Sequence, residues 1–377
     1  MSGGSVVAVG SGPSSMPRSL PPSYCIFDGL QWDSKRGLGR FAAQLHKHVQ
    51  RMQWKPISFS IPRWRSGIGK VLLNELVEPV FREALTPAIA FYPHNVLPTV
   101  FLSHRSLRVL VLHDLLFLNG KNTGVGNRYR SLKLRGSLSR ADVILTVSET
   151  SRAEILQHLN RECPVFVISN ALPESFSNFN QTIKPKHSGA FRILHFGGNG
   201  PTKNTRNLLK AVQLLHQRGH LVHLELAAMF AKREIVATWQ QEIRLPTHAL
   251  TILPSLSDAE LLEAYVRADA HCMPSTGEGF GIPVIEAART STLNVLSPLP
   301  VFREIVGNEA VFAASFEAED IANSILTTMS TNTQDMVMRA RQRSHNFLFD
   351  SIHSKQAALA LQAIADLSPI RKGKVRE

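Results

Sequence analysis

The sequence predicts an α/β protein built from two doubly wound halves that face a cleft. Three observations carry this expectation. Short β-rich runs alternate with helical patterns along the chain, as in parallel sheets covered by helices. The alternation restarts near residue 190, after the polar stretch Ser177-Asn-Phe-Asn-Gln-Thr-Ile-Lys-Pro-Lys-His-Ser-Gly189, which reads as a linker. The chain has 377 residues, enough for two domains.

The expected strands of the first half are Tyr24 to Phe27, Ile89 to Tyr92, Leu107 to Leu112, Val143 to Val147 and Val165 to Ile168. Those of the second half are Arg192 to Phe196, Leu221 to Leu226, Leu250 to Ile252, Ala268 to Met273 and Asn294 to Leu296. Helical patterns lie between them, such as Asn207 to Arg218 and Asp258 to Arg267. The expected division is a disordered leader over 1–22, a first Rossmann-like domain over 23–178 and a linker over 179–190. A second Rossmann-like domain follows over 191–345, then a terminal helix over 346–367 and a basic tail over 368–377. The leader is rich in Gly, Ser and Pro and lacks a basic start with a long apolar region, so it does not read as a signal peptide.

Composition narrows the function classes. No apolar run approaches the roughly 18 residues needed to span a membrane. Cys25, Cys163 and Cys272 are far apart and have neither zinc nor redox spacing, which fits a reducing cytosol. The net charge is +13, and it is unevenly placed. Residues 1–187 hold 23 Lys/Arg against 11 Asp/Glu, whereas residues 188–377 hold 19 against 18. Such a first half attracts polyanions: anionic lipid, a lipid-linked phosphate or nucleic acid. The alternative is a solubilising surface. Trp54-Lys55 and Arg63-Trp64-Arg65 interleave aromatics with bases, as at a membrane interface or in a basic loop before a buried helix. The run Arg128 to Arg135 reads either the same way or as the solvated side of a helix.

The chemistry concentrates in Pro274-Ser-Thr-Gly-Glu-Gly-Phe-Gly-Ile-Pro-Val-Ile-Glu286-Ala. An apolar strand precedes it and a helix start follows, with Pro283 suited to the first turn. A glycine loop that opens a helix exposes backbone N–H groups and the positive end of the helix dipole, which suits phosphate. Glu278 and Glu286 can accept hydrogen bonds from sugar or ribose hydroxyls. A second glycine loop, Gly197-Gly-Asn-Gly-Pro-Thr-Lys203-Asn-Thr-Arg206, follows the strand Arg192 to Phe196. A third, Arg36-Gly37-Leu38-Gly39-Arg40-Phe41, follows the first strand, and Leu112-His113-Asp114-Leu115 ends another.

Taken in order, these segments resemble glycosyltransferase family 4, whose members share the GT-B fold. Ala141-Asp-Val-Ile-Leu-Thr-Val-Ser148 and Val301-Phe-Arg-Glu304-Ile-Val-Gly307 add to the resemblance, which runs over roughly residues 24 to 365 and is diffuse between 45 and 90. It implies a retaining transferase in which Glu278 binds donor sugar hydroxyls, Glu286 the nucleotide ribose and Lys203 the diphosphate. Gly198, Gly279, Phe280, Gly281 and Ile282 would complete the donor pocket. Gly37, Gly39 and His113 would close over the reacting sugar, making Glu278, His113 and Lys203 the catalytic candidates. Ser148 reads equally as a helix cap. The resemblance also implies that the terminal helix crosses back to the first domain and that no metal or other cofactor is needed.

Two departures stand out. Thr202 takes the place of the family's usual Arg, for which Arg206 is the candidate substitute. After Glu286 the chain reads Ala-Ala-Arg289-Thr-Ser291-Thr-Leu293-Asn, without the Gly and the Pro that the family has there, which bears on nucleotide or sugar preference. The opening Trp32-Asp33 through Phe41 resembles bacterial mannosyl- or rhamnosyltransferases using GDP-linked donors. The expected partners are a nucleotide-sugar donor, a saccharide acceptor that is lipid-linked, as in lipopolysaccharide O-antigen or exopolysaccharide assembly, and an anionic membrane surface on the cytoplasmic side. No nucleic-acid partner is expected. Competing readings are a UDP-sugar transferase on a soluble acceptor, a nucleic-acid-binding protein, and a nucleotide-sugar sensor without turnover.

Overall fold

A computed structural model describes residues 22–26, 37–56, 88–93, 95–97, 106–116, 118, 125–180, 189–198, 200–227 and 233–368. The expected leader up to residue 21, the Arg63 to Arg65 run, most of the linker and the tail from 369 lie outside them.

Among the described residues the first sheet has six parallel strands: β1 Ser23–Ile26, β2 Lys55–Pro56, β3 Ile89–Tyr92, β4 Leu107–Val111, β5 Val143–Thr146 and β6 Val165–Val167. Their order is β2-β1-β3-β4-β5-β6. With them come helices α1 Gly37–Arg51, α2 Val125–Arg140, α3 Glu149–His158 and the single turn α4 Glu174–Ser177. β3 and β5 are buried at every position, which is why they read as continuous apolar runs. Trp54, a candidate for a lipid interface on sequence, is instead a core residue. It is 5% exposed and sits against Tyr24 and Phe91 at ring distances of 6.3 and 6.4 Å.

The second sheet is also parallel and six-stranded: β7 Phe191–Phe196, β8 Val222–Ala227, β9 Leu250–Leu253, β10 Ala270–Met273, β11 Leu293–Leu296 and β12 Val311–Phe312. The order is β12-β11-β10-β7-β8-β9. Its helices are α5 Thr205–Gln217, α6 Arg233–Ile243, α7 Asp258–Arg267, α8 Ile282–Arg289, α9 Pro300–Val306, α10 Ala318–Ser330 and α11 Gln334–Ser344. Read from its first strand, this is the doubly wound order in which direction reverses between β7 and β10. Ligands bind outside the carboxyl ends of the strands at that switch point. The two glycine loops follow β7 and β10, so the topology brings them together.

The chain closes with α12, Ile352–Leu367. The sequence pattern reads as one helix from Asn346, but a 3-10 turn over His345–Phe347 and a break at 348–351 come first. Leu172 N–H donates to the Phe347 carbonyl at 2.7 Å, and Phe349 stacks on His48 of α1 at 4.4 Å. α12 packs against α1 and β6 of the first sheet. His353 bonds the Ser169 carbonyl, and Gln356 Oε1 accepts from the Ser169 hydroxyl at 2.8 Å. One apolar cluster joins Phe91 and Val109 of the first sheet to Phe280 and Phe302 of the second half and to Leu361 and Ile364 of α12.

Candidate active site

The loop after β7 is fixed by a buried histidine. His195 Nδ1 lies 2.8 Å from the Cys272 carbonyl and Nε2 lies 3.1 Å from Thr205 Oγ1. A carbonyl only accepts, so Nδ1 carries the proton and Nε2 accepts from the threonine. Burial lowers the His195 pKa to about 3, which keeps the ring neutral. Thr205 Oγ1 in turn accepts from the Gly198 N–H at 3.2 Å. The 3-10 turn Pro201–Lys203 follows, and Asn204, in the left-handed region at φ 53°, donates to the Pro274 and Phe316 carbonyls. Lys203 is thereby delivered to the second glycine loop, where its Nζ bonds Glu278 Oε1 at 2.7 Å.

That second loop turns into α8 through Gly281, whose φ of +124° is open only to glycine without strain. Gly279 is required for a different reason. A Cβ there would lie 2.0 Å from the His113 carbonyl oxygen of the first domain. The Gly279 carbonyl accepts from the Ser148 hydroxyl at 2.8 Å and the Ser151 hydroxyl at 3.2 Å. Ser148 is also the N-cap of α3, accepting from the Ser151 N–H at 3.0 Å. The second domain reciprocates. Glu304 of α9 accepts from the N–H groups of Glu149 and Thr150 at 2.7 and 2.9 Å, placing a carboxylate on the positive end of α3. The glycine loop is thus clasped by the other domain.

Glu286 lies on the first turns of α8 and is 2% exposed. Burial raises its pKa, and two partners work against that shift. Arg40 of α1 reaches across the cleft to Oε1 at 3.0 Å, and the Tyr265 hydroxyl of α7 donates to Oε2 at 3.0 Å. Arg40 Nη2 also meets Asp258 at 3.5 Å. From the first domain, His113 is buried, its ring stands edge-on to Phe41 at 5.1 Å, and its backbone N–H donates to Asn95 Oδ1 at 2.9 Å. Asp114 accepts from the Leu116 N–H at 3.1 Å, and burial raises its carboxyl.

A cavity of about 530 Å³ joins these groups. Of the residues singled out on sequence, Gly37, His113, Gly198, Lys203, Glu278, Gly279, Phe280, Gly281, Ile282 and Glu286 line it. Gly39 does not. It is buried within the first turn of α1. Arg206 does not either. It points along the outer side of α5 to Glu242 of α6, at 2.7 Å, with its side chain 53% exposed. Arg289, expected to bear on donor preference, is buried away from the cavity and donates to the Phe176 and Ser177 carbonyls at 3.0 and 2.8 Å. Ser291 stands at φ 58°, in the left-handed conformation that a glycine would adopt freely.

Sequence reasoning missed Arg40, Asp114 and Asn170, which line the cavity, and Tyr265 beneath it. Arg40 and Asp114 sat inside motifs already noted, so their charge was the available signal. Tyr265 and Asn170 gave none. Among the described residues no three His, Cys, Asp or Glu side chains converge in a way that could hold a metal ion.

Residues 177–345 match the family model Glycosyl transferases group 1. Among curated proteins, the chain is 28% identical to O-antigen chain mannosyltransferase B of Escherichia coli over 256 residues, 65% of this chain and 67% of that one. It is 27% identical over 209 residues to O-antigen chain mannosyltransferase RfbU of Salmonella typhimurium, 54% of this chain and 56% of that one. Among solved structures it resembles a sucrose-phosphate synthase from Thermosynechococcus elongatus with a TM-score of 0.70 at 14% identity, covering 92% of this chain and 99% of that one. Anabaena HepE in complex with UDP-glucose aligns with a TM-score of 0.64 at 17% identity, covering 91% and 100%. The fold is GT-B, and the match to the glycosyl transferases group 1 model lies over its second half.

Proposed function

We propose that this glycosyltransferase moves a mannosyl or rhamnosyl residue from a GDP-linked donor to a lipid-linked saccharide, with retention of anomeric configuration, in cell-surface polysaccharide synthesis. The observation that carries the reading is the meeting of Lys203, Glu278 and Glu286 in one cavity, at the carboxyl ends of β7 and β10. In this reading the donor diphosphate takes Lys203, the Gly198 N–H and the N-terminus of α8. An ammonium beside the leaving diphosphate stabilises the charge that develops as the glycosidic bond breaks. Glu278 then accepts hydrogen bonds from the sugar hydroxyls, and Glu286 from the ribose. His113 and Gly37 bound the reacting sugar from the first domain. The acceptor hydroxyl attacks from the face the diphosphate leaves, and the departing phosphate oxygen takes its proton.

The mannosyl donor is supported by the names of the curated relatives. The lipid-linked acceptor and a peripheral place on the inner membrane face are supported by the basic first half. There α2 has no acidic residue and exposes Arg128, Tyr129, Arg130, Leu132 and Arg135. No helix among the described residues is long and apolar enough to cross a membrane. The test incubates the enzyme with a lipid-linked saccharide and GDP-mannose, GDP-rhamnose, UDP-glucose or UDP-N-acetylglucosamine, reading product by mass and its anomeric configuration by NMR. Transfer from a GDP-hexose with the donor's configuration kept is the expected result. Turnover with UDP-sugars alone, or an inverted product, would overturn it.

A further inference from the structure

Two cations line the cavity among the described residues, Lys203 from the second domain and Arg40 from the first. Each is already bonded to a cavity carboxylate, Lys203 to Glu278 at 2.7 Å and Arg40 to Glu286 at 3.0 Å. A nucleoside diphosphate sugar brings two phosphates and a set of hydroxyls. The phosphates need cations and the carboxylates need hydroxyl donors, so exchanging partners satisfies both. We propose that Arg40 is the second phosphate ligand of the cleft: on donor binding its guanidinium passes from Glu286 to the diphosphate, and Glu286 passes to the ribose hydroxyls. This inference rests on the donor-site reading above.

Three features support Arg40 in this role. It sits on the first turn of α1, a helix of 15 residues whose first residue, Gly37, also lines the cavity. The positive helix end and the guanidinium therefore face the same space. The Arg40 side chain is 23% exposed while that of Glu286 is 3% exposed, so the arginine is the outer and more accessible member of the pair. Its other contact, Asp258, is 3.5 Å away and half exposed, a weak hold. Arg206, the alternative on sequence, is committed to Glu242 outside the cavity.

The exchange is conditional. Withdrawing Arg40 strands a buried carboxylate unless hydroxyls replace it beside the Tyr265 bond. Phosphate alone therefore has to break the Arg40–Glu286 pair without compensation, whereas a nucleotide compensates at once. Because Arg40 comes from the first domain, the same exchange ties nucleotide binding to the approach of the two domains.

Calorimetric titration of GDP, UDP, their nucleosides and inorganic pyrophosphate tests this with the wild type, Arg40→Met, Arg40→Lys, Glu286→Gln and Arg206→Met. Arg40→Met should lower the advantage of diphosphate over nucleoside by about tenfold or more, the scale of a charge-assisted hydrogen bond. Arg40→Lys should recover part of it. Glu286→Gln should bind pyrophosphate at least as tightly as the wild type, because its Arg40 is released. The proposal is overturned if Arg40→Met weakens nucleoside and diphosphate by the same factor. It is equally overturned if Arg206→Met removes the diphosphate advantage, or if Glu286→Gln loses pyrophosphate. A wild type that binds no nucleotide would defeat the donor-site reading itself, a distinct result. The Glu286→Gln arm stands even if Arg40→Met does not fold.

Discussion

Gly279 leaves no room for a side chain, because the backbone of the other domain occupies the space. With the His113 carbonyl 2.0 Å from a would-be Cβ, Gly279→Ala must shift backbone on one side of the cleft. A loss of about 1–3 kcal/mol, the usual range for overpacking, should appear as a lower Tm together with impaired donor binding. Unchanged melting and binding would mean the two domains do not meet here as described. Arg289 is predicted to behave in the opposite sense. Its removal takes one donor from the Phe176 carbonyl, which keeps the Phe179 N–H at 3.2 Å, and one from the part-buried Ser177 carbonyl, at a cost of about 1 kcal/mol. Arg289→Met should therefore lower Tm while the order of preference among nucleotide sugars stays the same, and a changed preference would restore the sequence-based expectation. At this scale the sequence showed which loops line the cavity, since glycines and carboxylates sit at strand ends. It did not show side-chain direction, which is why Arg206 was named as the substitute for the missing Arg and Arg40 was not. One position along α5 turns a side chain outward, and that depends on what α6 offers it.

The helices that matter for function are those whose ends touch the other domain. α3 is the clearest case, with a local N-cap in the Ser148 hydroxyl and a carboxylate, Glu304, supplied by α9. Glu304→Ala removes acceptors from two backbone N–H groups and from the Thr150 hydroxyl. It should cost about 1–2 kcal/mol, as strong N-caps do. The expected signature is a lower Tm and a smaller thermal gain on adding donor, because the capped helix also carries the serines that hold Gly279. An unaltered melting curve would show that solvent replaces Glu304 at no cost. Strands such as Ile89–Tyr92 and helices such as Asp258–Arg267 were legible because each is an apolar or capped run of ordinary length. β2 and β12 were not, since two residues are too few to show a period. The break before α12 was also hidden, because Phe347 to Phe349 continue an apolar pattern and only tertiary contacts with Leu172 and His48 end the helix.

Across the whole molecule, stability should fall on the acid side. Burial lowers His48, His271 and His353 to about 4 and His195 to about 3, whereas an unfolded histidine titrates near 6.5. The unfolded chain therefore binds protons that the folded chain refuses. Stability is full above about pH 6.5 and declines as pH falls toward about 4, each such imidazole contributing up to about 1.4 kcal/mol per pH unit. Glu286 and Asp114 are raised by burial and act the other way, taking up protons in the folded state first, so they offset part of the loss. His48 and His353 lie on α1 and α12, with ring centroids 4.8 Å apart. Part of the loss should therefore arise where the last helix meets the first domain. Denaturant titrations from pH 7 to pH 4.5 on the wild type and on His353→Leu should show a shallower pH slope in the variant, and equal slopes would assign the acid loss elsewhere. The two-domain plan was legible because parallel α/β units repeat with a polar interruption, whereas domain closure was not, since it rests on contacts such as Ser148–Gly279 between residues 131 positions apart. The most direct test of the central claim is calorimetric binding of GDP-mannose to the wild type and to Lys203→Met. Saturable binding to the wild type is expected, weakened at least about tenfold in the variant, the scale of a charge-assisted hydrogen bond. Binding of equal strength in both, or none in the wild type, would contradict the placement of the donor in this cleft.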